Sequence, residues 1–157
     1  MPSLLRISGA ASLALHAMAE LAGAPGDFLS TREIARELGV SENHLAKVCR
    51  QLTRAGLVEA ARGPKGGFRL GKRPNEITLL DVYESIEGPL NPDECLLGRQ
   101  ACGSDKCILG DLVESVNRQA REYLSETTLA DLADSGCDET DGEASGERYC
   151  KQEDMAK

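Results

Sequence analysis

Residues 41–73 read SENHLAKVCRQLTRAGLVEAARGPKGGFRLGKR, and their order of signals decides the expected fold. Ser41 offers an N-cap and Gly56 a stop, which predicts a helix between them. Advancing about 100° per residue from Asn43, the residues Leu45, Val48, Cys49 and Leu52 fall on one face, and Asn43, Lys47, Arg50 and Arg54 fall on the opposite one. Alone, this pattern describes any solvated surface helix. The residues after Gly56 change its meaning: LVEAA is a short apolar strand, Gly63 to Gly67 a permissive turn, and Phe68 to Leu70 a second strand. A basic-faced helix followed at once by a hairpin with a Gly-Pro-Lys-Gly-Gly tip is expected to be a recognition helix and its wing.

Working outward toward the N-terminus, Ser30 and Glu33 form a capping box for a short helix that carries Ile34, Ala35 and Leu38 and stops at Gly39. Only Gly39 and Val40 separate it from Ser41, the outline of a helix-turn-helix. Residues 7–22 place Leu13, Ala14, Ala17, Met18 and Leu21 at helical spacing and stop near Gly23 and Pro25. Toward the C-terminus, 74–76 reads as a linker and Thr78 to Ile86 as a short helix ended by Gly88-Pro89. Residues 89–106 are loop-like. Ile108, Leu109, Leu112, Val113, Val116, Ala120, Tyr123 and Leu124 mark a long amphipathic helix, and Thr128 to Leu132 a short one. An apolar stripe with little of a small DNA-binding core to pack on suggests a dimerisation helix.

The expected fold is therefore mainly α: a winged helix-turn-helix with a two-stranded wing and a long C-terminal dimerisation helix. Three parts are expected: a DNA-binding domain over 1–76, a cysteine loop and dimerisation helix over 77–133, and an acidic tail over 134–157, expected to be disordered.

The chain has 157 residues, 41% hydrophobic and 28% charged, with three Tyr, two Phe and no Trp. That suits one modest core of aliphatic side chains. A net charge of −8 would argue against nucleic acid. The charge is divided, however: residues 1–80 hold 11 Lys and Arg against 7 acids, whereas 81–157 hold 7 against 19. Within 44–75, eight basic residues face one acid, Glu59, so an acidic chain can still present a basic face. No signal peptide is evident in Leu13 to Ala24, which His16 and Glu20 interrupt, and no apolar run reaches the length of a membrane span. A cytoplasmic protein with reduced thiols is expected, with no membrane partner.

Six cysteines then carry weight. Cys95, Cys102 and Cys107 are separated by six and four residues, of which only the second gap suits a paired zinc site. Three thiolates on a Gly-containing loop suit an iron-sulphur cluster with a fourth ligand from elsewhere, and Arg99 and Lys106 would offset its charge. Spacing alone leaves a cluster, zinc and ordinary thiols open. Cys49 falls on the core face of its helix and is expected to be structural. Cys137 and Cys150, in the tail, are expected to be incidental thiols.

The run from Val40 to Lys72, the helix from Ile77 to Gly88, the three-cysteine loop and the TTLADL stretch together resemble the Rrf-two superfamily of winged-helix transcriptional regulators, which includes IscR-, NsrR- and RirA-like cluster sensors. The resemblance spans about residues 4–133. It implies a homodimer that binds a palindromic promoter site on double-stranded DNA and carries one cluster, 2Fe-2S or 4Fe-4S, per subunit. On it, Cys95, Cys102 and Cys107 match the cluster cysteines. IscR-like sequences place a His where this chain has Gly110, so the fourth ligand departs from that branch. Other members take it from the first helix of the partner subunit, where His16 stands in this chain at one such position and Ser12 at another; Asp105 and Asp111 lie close to the cysteines in sequence. Asn43, His44 and Lys47 match the NsrR-like recognition helix, and Arg62 and Gly63 match wing positions that reach DNA. Joined with the basic helix face and wing tip read from spacing, this gives the candidate DNA-binding set Ser41, Asn43, His44, Lys47, Arg50, Arg54, Arg62, Gly63 and Lys65, with Arg69 a further basic wing residue.

The function expected is a repressor whose cluster senses nitric oxide, redox state or iron supply. The alternatives are a cluster-free repressor controlled by thiols or by a partner protein, and an electron carrier. Catalysis is not expected, because the sequence shows no paired nucleophile and base and no phosphate-binding loop.

Overall fold

The computed structural model describes residues 7–90 and 110–134. Helix α1 spans Gly9–Ala22, capped by Ser8, whose Oγ accepts the Ala11 N–H at 3.1 Å. Its inward face is built from small residues, with Ala11, Ala14 and Ala17 at 0% exposure beside Met18 and Leu21. Small side chains let other helices approach closely, and α1 lies at the centre of the core.

Helix α2 spans Thr31–Glu37 and α3 spans Glu42–Arg54. The capping box at Ser30 is present in both directions: Glu33 N–H to Ser30 Oγ at 3.2 Å, and Ser30 N–H to the Glu33 carboxylate at 2.8 Å. These bonds hold the Glu33 carboxyl below its ordinary range, the side-chain contact with Ser30 being the larger cause. The tight turn between the helices is a Schellman motif: Val40 N–H reaches Ala35 O at 3.0 Å and Gly39 N–H reaches Arg36 O at 3.3 Å. The same device ends α3, with Leu57 N–H on Leu52 O and Gly56 N–H on Thr53 O, both at 3.0 Å. Gly39 and Gly56 occupy the left-handed positions these motifs require, with φ of 62° and 73°. Val40 and Leu57 are thereby turned back onto the core.

The wing consists of β1, Val58–Ala61, and β2, Gly67–Leu70, paired antiparallel with Val58 opposite Leu70 and Glu59 opposite Arg69. β2 begins one residue earlier than the sequence suggests. A third strand contact was not legible: Leu29 bridges Phe68 through hydrogen bonds of 2.9 and 2.8 Å. This contact requires Gly67, because a Cβ there would lie 2.1 Å from Leu29 O.

The expected linker at Pro74–Glu76 is a 3-10 turn, closed by the Glu76 carboxylate accepting Arg73 N–H at 3.1 Å. Helix α4 spans Leu79–Glu87, α5 spans Gly110–Glu126 and α6 spans Leu129–Asp134. The starts of α4 and α6 are paired: Leu79 N–H donates to Thr127 O and Leu129 N–H to Ile77 O, both at 3.0 Å. Each start is capped by a Thr with an Asp three residues on, Thr78 with Asp81 and Thr128 with Asp131. Ile77, Leu79, Val82 and Leu129 are buried in one cluster with α1, α3 and Val58. The expected boundary at residue 76 therefore falls inside a single core. The acidic tail expected from residue 134 onward lies outside the described residues, except for Asp134 itself.

Helix α5 is different in kind. None of its described residues is buried, and Leu112 and Tyr123 are 51% and 62% exposed. Among the described residues no helix is long and apolar enough to cross a membrane.

Candidate nucleic-acid interface

Helix α3 divides as its sequence predicts. Leu45, Val48, Cys49 and Leu52 are buried at 2% exposure or less, while Asn43, His44, Lys47, Arg50 and Arg54 are exposed. Ser41 is exposed too, but its Oγ is engaged as the N-cap, accepting His44 N–H at 3.2 Å. Its hydroxyl hydrogen remains to donate to an acceptor such as a phosphate oxygen. Arg50 Nε donates to Ala46 O at 3.1 Å, which orients the guanidinium along the helix. Glu42 in the first turn and Arg54 in the last both complement the helix dipole.

The wing adds a second basic element. Gly66 N–H bonds to Gly63 O at 2.9 Å, so Gly63-Pro64-Lys65-Gly66 is a hydrogen-bonded turn with Pro at its second position. Arg62, Gly63 and Lys65 are exposed at this tip. Neither Arg62 nor Lys65 has a side-chain partner among the described residues. Arg69, by contrast, is occupied within the protein: Nε and Nη2 donate to Glu59 Oε2 at 2.8 and 2.7 Å, and its guanidinium lies 4.6 Å from the Phe28 ring centroid. An exposed basic face on the second helix of a helix-turn-helix, followed by a basic hairpin tip, has the donors needed to read base edges and hold phosphates.

The model of the Rrf2 family, described as "Iron-dependent Transcriptional regulator", matches residues 7–135. The chain belongs to the Rrf2 family of transcriptional regulators. Like them it is a DNA-binding winged-helix protein and not an enzyme. It is 33% identical over 122 residues to an HTH-type transcriptional regulator of Aquifex aeolicus, covering 76% of this chain and 85% of that one. It is 42% identical over 83 residues, 53% of each chain, to the HTH-type regulator BadM of Rhodopseudomonas palustris. Among solved structures it resembles CymR, the global cysteine regulator of B. subtilis, with a TM-score of 0.73 and 32% identity over 84% of this chain and 98% of that one. IscR of T. potens superposes with a TM-score of 0.72 and 27% identity, over 90% of this chain and 95% of that one.

For this Rrf2 regulator the candidate sensing residues divide by place. Cys95, Cys102 and Cys107, with Asp105, lie outside the described residues, as do Cys137 and Cys150. His16 is exposed on α1, its Nδ1 2.7 Å from Ser12 O. A carbonyl accepts only, so Nδ1 is the donor in this bond and Nε2 takes no part in it. Cys49 is fully buried, and desolvation pushes its thiol up to about 11, which makes it a packing residue. Two features that position the interface escaped the sequence: the isolated bridge of Leu29 to Phe68, too short for any periodic signal, and the Glu59–Arg69 pairing, which needs the register of the hairpin.

Proposed function

We propose that this chain is a homodimeric repressor that acts in the cytoplasm on a palindromic site in double-stranded DNA, with an affinity set by an iron-sulphur cluster. The observation that carries the DNA-binding mode is the alignment of Asn43, Lys47, Arg50 and Arg54 on the exposed face of α3, with Arg62 and Lys65 free on the wing beside it. Asn43, His44 and Lys47 lie in the first half of α3, the part that meets base edges when such a helix enters the major groove. Ser41, Arg50, Arg54 and the wing tip then reach the phosphates on either side. The uncovered stripe of α5, with Leu112 and Tyr123 at its exposed edge, supports pairing through this helix. Pairing through α5 would set two α3 helices against half-sites about one helical turn apart, roughly 34 Å.

The donor set fits a cluster, 2Fe-2S or 4Fe-4S. Cys95, Cys102 and Cys107 would supply three thiolates, and the exposed His16, whose Nδ1 is engaged with Ser12 O while Nε2 is not, has the chemistry of a fourth ligand offered by the partner subunit. When bound, the cluster supplies a centre that reacts with nitric oxide or oxygen and is lost when iron is scarce. Coupling of that segment to α5 draws support from Arg121 on α5, which donates to the carbonyl of Leu90 just before it.

A second reading, a cluster-free regulator controlled by its thiols or by a partner protein, draws support from the likeness to a cysteine regulator and from Gly110 standing where the IscR-like branch has a His. Anaerobic purification with iron and acid-labile sulphide analysis separates the two. The first predicts a brown protein with about one cluster per subunit and visible absorbance. A colourless preparation free of sulphide favours the second.

A further inference from the structure

A hairpin of two four-residue strands is marginal by itself, so contacts outside it must fix the angle at which the wing leaves the helix-turn-helix. Phe68 and Leu70 supply one set, packed against the core. On the other face of β2 stands Arg69, directly opposite Glu59 on β1. Its guanidinium donates twice to Glu59 and stacks on Phe28. Phe28 in turn precedes Leu29, which bridges β2, and Ser30, which caps α2. One side chain thus joins both strands of the wing to the segment that leads into the helix-turn-helix.

We propose that Arg69 is a positioning residue for DNA binding: clamped between Glu59 and Phe28, it sets the angle at which Arg62 and Lys65 meet the duplex and makes no phosphate contact itself. The inference rests on reading α3 and the wing as the DNA-binding surface. The residue type suits the role, because a planar guanidinium can stack and donate two bonds at once, whereas a Lys ammonium cannot do both.

Simple electrostatics and the brace predict opposite signs for one substitution. Removing the acid Glu59 from a basic surface should tighten DNA binding if charge alone matters. If Glu59 holds Arg69 in place, the same change should weaken it.

The test uses the full chain, purified anaerobically, and a duplex selected by the wild-type protein from random-sequence DNA. Affinity is measured at several salt concentrations, with hydroxyl-radical footprints and melting temperatures recorded alongside. Glu59→Ala, Arg69→Lys and Phe28→Leu are each expected to weaken binding about fivefold. Protection should be lost at the flanks touched by the wing and kept under α3, with the salt slope of Arg69→Lys and the melting temperatures close to wild type. Arg69→Lys leaves the charge in place and is the variant least able to disturb folding. Glu59→Ala binding as tightly as wild type or tighter would overturn the inference, as would Arg69→Lys matching wild type while Arg69→Gln lowers the salt slope by about one. If the wild-type chain selects no duplex, the DNA-binding surface itself has been misassigned and the inference falls with it.

Discussion

Arg121 on α5 and Glu84 on α4 are joined at 2.9 Å between Nη1 and Oε1. The same nitrogen donates to Leu90 O at 3.0 Å, and Glu84 Oε1 accepts the Leu90 N–H at 3.1 Å. One guanidinium therefore ties the exposed long helix both to α4 and to the residue before the cysteine-bearing segment. The side chains are 46% and 30% exposed, so the pair is partly screened. Arg121→Gln is expected to cost about 0.5–1 kcal/mol, read as a lower urea midpoint.

Lys47 and Arg50 face outward and take no part in the core. Lys47→Ala and Arg50→Ala should each leave the melting temperature within about a degree of wild type. Binding to duplex DNA should weaken, and where the lost contact is to phosphate the salt slope should fall by about one. Unchanged affinity for both variants would remove α3 from the interface.

Gly67→Ala places a Cβ 2.1 Å from Leu29 O, where backbone and not a flexible side chain must move. The Leu29–Phe68 pairing should break, with a loss of about 2 kcal/mol in denaturant unfolding. Gly63→Ala meets open space and only the strain of a positive φ, so its cost should be nearer about 1 kcal/mol.

The buried Cys49 thiol makes stability depend on pH in the alkaline range. Its folded value of about 11 lies above the ordinary thiol value of 9.0, and desolvation is the cause. The unfolded chain thus loses this proton first as pH rises. The contribution is fully present below about pH 9 and is lost as pH climbs toward about 11. Cys49→Ala should flatten that part of the stability profile relative to wild type, and in the native protein at pH 8 Cys49 should resist thiol reagents.

The sequence legibly placed α1 to α3, the hairpin and the caps, because each depends on short-range rules: Ser30 with Glu33, Ser41 before α3, Gly39 and Gly56 after helices. The split of α3 into a buried and an exposed face also comes from spacing alone. Pairings that depend on three-dimensional register were not legible. Leu29 gains its strand character only from Phe68, and Arg69 reads as a DNA-facing cation until Glu59 is seen opposite it. Residues 77–87 and 129 likewise look like part of a separate extension. Only the back-to-back starts of α4 and α6 bring Ile77 and Leu129 into the core of α1.

Operator affinity measured on the anaerobically purified protein and on its Cys102→Ala form tests most directly the coupling between the cysteine segment and DNA. Affinities that differ by about tenfold or more are predicted, with both proteins dimeric and equally helical. Equal affinities of the two forms for the same duplex would contradict it.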